Sequence, residues 1–474
     1  AKLDIVGDNN RRTTRISVTD ERIKVLIVEA RPRYEFRYLR NLLAGRDKTV
    51  KLQSLLLQPD EIAEIPPADA VHASVTRAAK DTEATLPPEN EQEWMKFDLI
   101  VLGDVSPAQL GEGTDEILRK FVEQRGGTLV AIAGPNFMPH AYTETELAEV
   151  LPIVVEPVDG ALLHGPEPSF AVSLTTVGRD DPITRQSTEG DDNVAFWDNL
   201  PPLYWRHPVL DVKPGAKVLA YATTPEQETE FQRIEENNEA TIEDLLELRR
   251  AQERTNALIV TQNVGSGKVL CMATDRTWRL RYRTGDRYHH RLWGQILRWG
   301  QPEKLQAGTD LVRLGTSQTS YGQDDPVVVR ARIVDEEFSP IEDEEAAVHV
   351  YQGSELVLSH KLSFLPDSGG RYEATLGELP GDGGEYRIEL HSPLAQPLIE
   401  KENVTKVETV IDIQSRAATS RELVELTTDR NLLAKLAADG GGRFVEINRT
   451  GELLATFRQP INDEVEQERF RIWD

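Results

Sequence analysis

Cysteine is almost absent from this chain: Cys271 is the only one among 474 residues. A single thiol excludes an internal disulfide and any metal site that needs several cysteines. Cys271 lies in the apolar run VLCMA at 269–273. We therefore interpret it as a buried structural thiol and not as a nucleophile.

Long apolar runs are also absent. No run approaches the roughly 18–20 residues of a transmembrane helix, and the N-terminus lacks the pattern of a signal peptide. We therefore expect that this stretch of chain does not span a membrane. Because it begins with Ala1 and not with Met, we expect an excerpt or a processed product of a longer protein.

Basic residues are scarce relative to acidic ones. The chain has 54 Lys and Arg against 80 Asp and Glu, which gives a formal net charge of -26. So acidic a surface repels phosphate backbones and anionic lipid head groups, and we exclude general nucleic-acid binding. Hydrophobic residues at 39% and charged residues at 28% are ordinary for a folded globular protein.

Several motifs that carry chemistry are missing. No pair of histidines has the spacing of a zinc protease, and no Gly-x-Ser-x-Gly nucleophile elbow is present. The stretch VGSGKV at 264–269 lacks the first glycine and the Ser or Thr of a phosphate-binding loop, and we predict a hairpin turn there. The first strand is not followed by a glycine-rich turn that would hold a dinucleotide. We expect no cofactor and no metal site.

The length of the chain predicts about three domains at roughly 150 residues each. Over 21–304, buried strands alternate with helices, which is typical of a parallel sheet with helices on both faces. An apolar run at 23–28 opens this domain, and apolar residues follow at helical spacing from Phe36 to Leu43. The charged stretch at 226–254 is interpreted either as an exposed helical insertion or as a mobile flap.

The remaining parts of the chain are shorter. Residues 1–20 are predicted to be the terminal strands of a preceding β domain, because two extended pieces alone cannot bury a core. Residues 305–412 have β-like runs separated by Gly, Pro and Asp turns, the pattern of a sandwich, in which Tyr386 is placed like a tyrosine corner. Residues 413–474 are predicted to form a tail with one helix and, at 443–447, one strand.

The stretch 276–299 is unusually basic within this acidic chain. It contains one acidic residue, Asp286, and seven arginines: Arg276, Arg279, Arg281, Arg283, Arg287, Arg291 and Arg298. Under one interpretation they form an anion pocket, in which guanidinium groups grip a carboxylate or phosphate and stack on rings such as Trp278 and Tyr282. Under the other, which we favour, they pair with the excess Asp and Glu of neighbouring elements.

Candidate ligand-binding residues follow from the predicted sheet. Acidic side chains, Glu29 among them, lie near the carboxyl ends of strands, where open α/β sheets bind ligands. Arginines also start the helix that follows the first strand. The candidates for an anion or ligand site are Arg31, Arg33, Asp104, Asp275, Trp278, Arg279, Tyr282 and Arg291. Acidic residues at strand ends also serve as helix caps, so we assign no catalytic residue.

Four segments, at 24–43, 98–107, 121–142 and 273–299, resemble the class I glutamine amidotransferase-like domain of large bacterial membrane-anchored proteins. These proteins often also carry von Willebrand factor A and aerotolerance-type regions. The resemblance implies a flavodoxin-like parallel sheet with helices on both faces, followed by an Ig-like β-sandwich and a small α/β tail. It also implies that 1–20 ends a preceding Ig-like domain.

The same resemblance has implications for location and partners. It implies an extracytoplasmic domain, periplasmic or on the cell surface, of a membrane protein. It further implies protein partners within a membrane-anchored assembly, and a membrane helix soon after Asp474.

The residues that amidotransferases of this class use for catalysis are not present. Those enzymes have a Cys at the elbow after one strand and a His-x-Glu motif after a later strand. Here the elbow is AGPN at 133–136, and the later strand ends with ATDR at 273–276. Without a thiol and an adjacent base, the acyl transfer has no nucleophile.

We therefore predict a non-catalytic interaction or ligand-binding scaffold. Two alternatives stay open. One is a hydrolase or other enzyme that uses carboxylates and an arginine-rich anion pocket at the carboxyl edge of the sheet. The other is a carbohydrate- or peptide-binding module that uses the aromatic residues Trp197, Tyr204 and Trp205.

Overall fold

A computed structural model describes most of the chain. The described residues are 22–59, 69–78, 81–164, 169–187, 190–236, 241–301, 305, 307–322, 325–366, 368–377, 379–380, 383–414, 430–440, 442 and 444–445. Two compact units are distinguished: Thr14–Ile413 forms one, and Ala1–Thr13 with Gln414–Asp474 forms the other. The predicted strands in 1–20 lie outside the described residues, as does most of the predicted strand at 443–447.

The larger unit contains a nine-stranded sheet, here called the mixed sheet. Its order is β3-β2-β1-β4-β5-β9-β8-β7-β6. The strands are β1 (Ile23–Glu29), β2 (Val50–Leu56), β3 (Glu83–Ala84), β4 (Leu99–Leu102), β5 (Thr128–Ile132), β6 (Ala171–Leu174), β7 (Lys217–Thr223), β8 (Ala257–Val264) and β9 (Gly267–Met272).

Strand direction divides the mixed sheet into two parts. The pairings from β3 through β9 are parallel, whereas β9–β8, β8–β7 and β7–β6 are antiparallel. The change of direction occurs at the turn between Val264 and Gly267. Gly265 has a φ of 55°, which a glycine adopts at no steric cost, so the hairpin predicted at 264–269 is confirmed.

The predicted fold class is wrong. A flavodoxin-like domain has a parallel sheet of five strands, but this sheet has nine strands and three antiparallel pairings. The antiparallel pairings lie in the stretch after residue 150: a tight turn joins β8 to β9, whereas helices lie between β6 and β7 and between β7 and β8. The Ig-like sandwich is corrected too, because the β region has ten described strands in two sheets of five, against seven or nine in immunoglobulin domains.

Helices cover both faces of the mixed sheet. Residues Phe36, Leu39 and Leu43 of the first helix belong to one hydrophobic core, and Leu118 and Phe121 belong to the other. The helices are α1 (Tyr34–Gly45), α2 (Glu91–Met95), α3 (Pro107–Leu110), α4 (Thr114–Glu123), α5 (Glu146–Val150), α6 (Gly160–His164), α7 (Thr176–Asp180), α8 (Gly190–Asp198), α9 (Pro225–Glu236), α10 (Ile242–Thr255) and α11 (Arg287–Gly300). The short 3-10 helices are His140–Tyr142, Pro182–Thr184 and Thr277–Arg281.

Two five-stranded antiparallel sheets follow, and together they are called the sandwich. Their orders are β10-β11-β13-β17-β16 and β12-β19-β18-β14-β15. The strands are β10 (Ala307–Gly308), β11 (Val312–Thr316), β12 (Ser320–Gly322), β13 (Val327–Ile333), β14 (Ala347–Gln352), β15 (Glu355–Lys361), β16 (Ser363–Phe364), β17 (Arg371–Leu376), β18 (Gly384–His391) and β19 (Glu408–Gln414), with helix α12 (Gln396–Lys401) before β19.

Alternate residues of the strands form the core of the sandwich. Every second residue of β13 is buried, as expected for a strand with one face on the core. Tyr386 at the start of β18 is fully buried, and its hydroxyl donates to the carbonyl oxygen of Pro380 at 2.5 Å. This bond back to the upstream backbone is the contact that a tyrosine corner makes.

The charged stretch at 226–254 is helical where it is described, in α9 and α10. In the smaller unit, helix α13 (Arg430–Asp439) corresponds to the helix predicted for the tail. Across the described part of the chain, no helix combines the length and the apolar character needed to cross a bilayer.

Candidate functional site

The carboxyl ends of the parallel strands meet at one edge of the mixed sheet, here called the carboxyl edge. Glu29 ends β1, Asp104 follows β4 and Asp275 follows β9. Arg33 is the residue before α1. Of the predicted candidates, the structure brings Arg33, Asp104 and Asp275 together here, with Glu29 between them.

Arg33 fills the space between the strand ends. Its Nη2 lies 2.7 Å from Glu29 Oε2, and its Nη1 lies 3.2 Å from Asp275 Oδ2. The same Nη1 donates to the carbonyl oxygen of Ala133 at 2.9 Å. One guanidinium thus binds three strand ends, as its rigid fork of donors permits.

Burial and the opposite charges nearby shift the pKa values of these groups in opposite directions. Burial raises the pKa of Glu29, although Arg33 counteracts this, and burial likewise raises the pKa of Asp275. Burial alone would lower the pKa of Arg33, but Glu29 and Asp275 raise it above its ordinary value. Arg33 is therefore a permanent counter-ion, and both carboxylates are engaged with it.

The carboxylate of Asp104 organises the corner after β5. Its Oδ1 accepts hydrogen bonds from the backbone nitrogens of Phe137 and Met138, at 2.7 and 3.1 Å. Its Oδ2 accepts from both the backbone and the side-chain nitrogen of Asn136, at 3.1 and 2.6 Å. All four bonds hold the loop, so Asp104 serves the corner as a structural acceptor.

A pair of stacked histidines lies beside this corner, and the sequence analysis did not identify it. The rings of His140 and His207 are 5.4 Å apart and nearly parallel, and His140 Nδ1 lies 3.3 Å from His207 Nε2. Burial, and then the neighbouring His140, lower the pKa of His207 to about 4. The two histidines are 67 residues apart in the chain, and neither belongs to a motif that would have revealed the pair.

A second cluster joins α1 to the 3-10 helix that follows Asp275. The buried carboxylate of Glu35 accepts from the hydroxyl of Thr277 and from the backbone nitrogen of Trp278 at 3.2 Å. Trp293 Nε1 donates to Thr277 Oγ1 at 3.1 Å. His289 is fully buried, with Nε2 3.8 Å from Glu35 Oε1. This cluster fixes the position of Trp278 at the carboxyl edge.

The seven arginines of 276–299 do not converge on one pocket. Arg276 pairs with the adjacent Asp275, and Arg281 pairs with Asp286 of the same stretch, so neither partner comes from a neighbouring element as the favoured interpretation expected. Arg291 donates to the backbone carbonyl of Gln186. Most arginines of the stretch also lie over aromatic rings, which the favoured interpretation did not include: Arg276 over Trp205, Arg279 over Tyr204 and Trp278, Arg281 over Tyr38, Arg283 over Tyr282, and Arg287 over Tyr288.

Partly exposed aromatic rings form a surface at the carboxyl edge, here called the aromatic surface: Tyr34, Tyr38, Trp278 and Tyr204. The ring centres of Tyr34 and Trp278 are 5.1 Å apart, and the rings of Tyr38 and Trp278 are 6.4 Å apart and within 25° of parallel. Arg279 lies 5.6 Å from the Trp278 ring and 5.5 Å from the Tyr204 ring. The guanidinium thereby connects Tyr204 to the other rings.

Other predicted residues lie elsewhere. Arg31 is exposed and its Nε is 3.4 Å from Gln58 Oε1, and Tyr282 is exposed beneath Arg283. Trp197 and Trp205 are buried, with each indole nitrogen bonded to a backbone carbonyl. The predicted aromatic set is therefore corrected: of its three members, only Tyr204 reaches solvent.

The donor set does not fit a metal. Within the described ranges, no group of three or more His, Cys, Asp or Glu side chains has the geometry to hold a metal ion. Cys271 is buried in β9, and burial raises the pKa of its thiol to about 12. At neutral pH it stays protonated, so it is not a substitute for the missing elbow nucleophile.

Comparison with protein-family models and with curated proteins gave no match. Among solved structures, the chain is similar to the β-galactosidase from Bacillus circulans sp. alkalophilus, with 14% identity, a TM-score of 0.25, and coverage of 65% of this chain and 35% of that one. It is also similar to the exo-β-1,4-mannosidase Op5Man5 from Opitutaceae bacterium strain TAV5, with 12% identity, a TM-score of 0.27, and coverage of 59% and 36%. The chain thus spans little more than a third of each. At these TM-scores the likeness carries no argument about fold or activity.

Proposed function

We propose that the chain is a non-catalytic binding protein that holds a carbohydrate on the aromatic surface. The observation that carries the proposal is the position of this surface, since exposed rings lie beside an edge whose carboxylates are already engaged. Patches of exposed aromatic residues on a soluble domain mark binding sites. The extracytoplasmic, membrane-anchored setting and protein partners within such an assembly are part of the same proposal.

The bonding at the carboxyl edge supports the non-catalytic part. A general acid or base must reach the proton that it transfers, but Glu29 and Asp275 are buried against Arg33. Asp104 has four hydrogen bonds to the loop at 136–138. Breaking any of these arrangements would leave a buried charge without its partners, which is costly.

The positions of three arginines favour the binding proposal over the rival hydrolase. It requires Arg31, Arg279 or Arg291 to point into an open cleft beside the carboxylates. Instead, Arg31 extends toward Gln58, and Arg279 and Arg291 are engaged as described above. A binding function does not require these arginines to leave their present contacts.

The geometry of the rings favours a carbohydrate over a peptide. Tyr34 and Tyr38 lie within 16° of parallel, and Tyr38 and Trp278 within 25°, and Tyr34 and Trp278 are tilted by 36°, so the planes of the three rings differ by at most 36°. The C–H groups on one face of a sugar ring pack against the electron-rich face of an aromatic ring. Arg279, held between Trp278 and Tyr204, offers donors to sugar hydroxyl groups.

Binding to a panel of immobilised neutral oligosaccharides tests the proposal. We expect saturable binding of at least one glycan by the full chain, and a loss of about tenfold or more in affinity for Trp278→Ala and Tyr34→Ala, since an aromatic contact is worth about 1 kcal/mol beyond its area. Tyr282→Ala is the matched control, because Tyr282 is 53% exposed and Tyr34 is 58% exposed. We expect this variant to bind like the parent.

Two results would contradict the proposal. One is equal affinity for the Tyr34→Ala and Tyr282→Ala variants, which would exclude the aromatic surface as the binding site. The other is cleavage of the bound glycan, detected as new reducing ends, which would show a catalytic activity.

A further inference from the structure

A second site lies at the opposite edge of the mixed sheet, where the amino ends of the parallel strands meet the sandwich. A cavity of about 270 Å³ opens there, and it is here called the interlayer cavity. Asp98, Gly126 and Ser266, which lie just before β4, β5 and β9, form one wall. Five arginines line it: Arg125, Arg313, Arg330, Arg332 and Arg371.

Three of the five arginines have a carboxylate partner within the cavity wall. Arg125 lies 3.1 Å from Asp98, Arg330 lies 2.9 Å from Glu373, and Arg313 lies 3.5 Å from Asp310. Asp310 is also shared with Lys24, at 2.8 Å. Each acidic side chain that lines the cavity is thus already paired with an arginine.

Arg332 and Arg371 differ from the other three. Arg332 Nε donates to the carbonyl oxygen of Gly369 at 3.1 Å, and Arg371 Nη2 donates to that of Ser266 at 3.3 Å. Neither is paired with a carboxylate among the residues that the structure describes. Within the described part of the chain, these two positive charges therefore lack a directly paired carboxylate, although the net charge of the whole chain is -26.

Two buried polar atoms of the same wall are also unsatisfied. Arg332 Nη2 and Ser266 Oγ have no hydrogen-bond partner among the described protein atoms. Buried donors are nearly always bonded, and each exception needs an explanation such as a bound ion. Both atoms can donate, so a ligand that brings only acceptor oxygens would satisfy them together.

We propose that the interlayer cavity binds a small ligand that carries an oxyanion, with Arg332, Arg371 and Ser266 as its direct donors. Guanidinium groups match the oxygen geometry of phosphate and carboxylate groups. The volume of about 270 Å³ is close to the lower end of the range of roughly 300–1,000 Å³ for small-molecule sites. The site is independent of the aromatic surface, so either proposal can fail without the other.

The electrostatics of Arg332 agree with this assignment. Burial, followed by the nearby Arg125, Arg371 and Arg313, lowers its pKa to about 9. Like charges crowded at one point favour an anion between them. The anion would also connect the mixed sheet to the sandwich, because Ser266 lies in the turn just before β9 and Arg332 lies in β13.

Titration calorimetry with the full chain tests the proposal, with inorganic phosphate, sulfate and citrate as separate probes at constant ionic strength. We expect saturable binding of at least one probe with one site per chain. Citrate binding tighter than both inorganic ions would assign a carboxylate ligand, and the reverse order would assign a phosphate- or sulfate-type ligand. Both orders support the site.

Charge variants then locate the binding. We expect Arg371→Gln to weaken it at least tenfold, and Glu373→Gln to strengthen it severalfold because a negative charge leaves the wall. Arg332→Gln should abolish binding. If that variant does not fold, the affinities of Arg371→Gln and Glu373→Gln test the proposal. Arg254→Gln is the control, since Arg254 pairs with Asp211 on a different surface and should leave binding unchanged.

The proposal is overturned if none of the three probes binds saturably to the parent chain. It is equally overturned if Arg371→Gln and Glu373→Gln bind with the affinity of the parent. In that event the arginines of the cavity serve only to hold the mixed sheet against the sandwich, as Arg371 does through the carbonyl oxygen of Ser266.

Discussion

The carboxylate of Asp104 occupies the space in which a side chain at residue 134 would have to lie. A Cβ atom placed on Gly134 would be 2.2 Å from Asp104 Cγ, far inside van der Waals contact. The corner after β5 is therefore restricted to glycine at this position by the acid that organises it. The glycine at residue 134 and the carboxylate of Asp104 thus belong to one packing arrangement.

We predict that Gly134→Ala destabilises the protein by about 2–3 kcal/mol, the cost of overpacking a filled site. Asp104 would have to move and give up hydrogen bonds to the loop. Urea denaturation measures the change. Gly45→Ala is the matched control, because nothing lies within 4 Å of a Cβ atom there, and we expect it to be neutral or slightly stabilising. Equal effects for the two variants would show that Asp104 does not limit the corner.

Replacing Arg33 by Met should cost about 3–5 kcal/mol of folding free energy, because Glu29 and Asp275 would remain buried without their counter-ion. Adding Glu29→Gln should recover part of this loss. Arg254→Met, which breaks an exposed pair with Asp211, should cost less than about 1 kcal/mol. Thermal and urea unfolding of the three variants would check the order, and a small effect for Arg33→Met would contradict a structural role for this ion pair.

His207 gives the stability a defined dependence on pH. Its folded-state pKa is about 4, below the value of about 6.5 in an unfolded chain. Between these values the unfolded state binds more protons, so the stability from His207 is complete above about pH 6.5 and is lost as the pH falls toward 4. The loss amounts to about 3 kcal/mol.

Comparison of the parent with His207→Gln, in urea at pH 7 and pH 4.5, isolates this contribution. The gap in unfolding free energy between the two proteins should narrow or reverse at the lower pH. The exposed His360 provides the control, and His360→Gln should follow the parent at both values. A gap that does not change with pH would show that His207 has no depressed pKa.

Anion binding in the interlayer cavity should depend on pH through Arg332. With sulfate as the probe, the ligand itself does not titrate in the alkaline range. Because burial and the neighbouring arginines lower the pKa of Arg332 to about 9, we expect a nearly constant affinity from pH 7 to 8 and a decline as the pH rises through 9. Arg125, Arg371, Arg313 and Asp310 face the same group. Calorimetry at a series of pH values would check this, and an affinity unchanged through pH 10 would contradict it.

The sequence predicted the elements that have a strong periodicity. Helix α1 was predicted from Phe36, Leu39 and Leu43, and these residues are buried. Strand β1 was predicted from a continuous apolar run, and its interior residues are buried on both faces. Apart from the hairpin at 264–269, strand direction was not predicted correctly, because short apolar runs have the same pattern in parallel and antiparallel sheets.

At the carboxyl edge, the rule for parallel strands was sufficient to bring Asp104 and Asp275 together. It did not distinguish Arg33, which points between the strand ends, from Arg31, which points to solvent. Which arginine pairs with the carboxylates depends on the direction of its side chain at the start of the helix. The order of residues in the sequence does not specify that direction. The interlayer cavity was not predicted at all, since Arg125 and Arg332 meet only after both sheets have formed.

The single cysteine makes the folded state easy to monitor. Because Cys271 is buried in the middle of the mixed sheet and its thiol stays protonated, a thiol-reactive dye reaches it only when the surrounding strands separate. Its labelling rate therefore reports opening of the core. A second cysteine placed on the aromatic surface or in the interlayer cavity could then carry a fluorophore without prior removal of the native one.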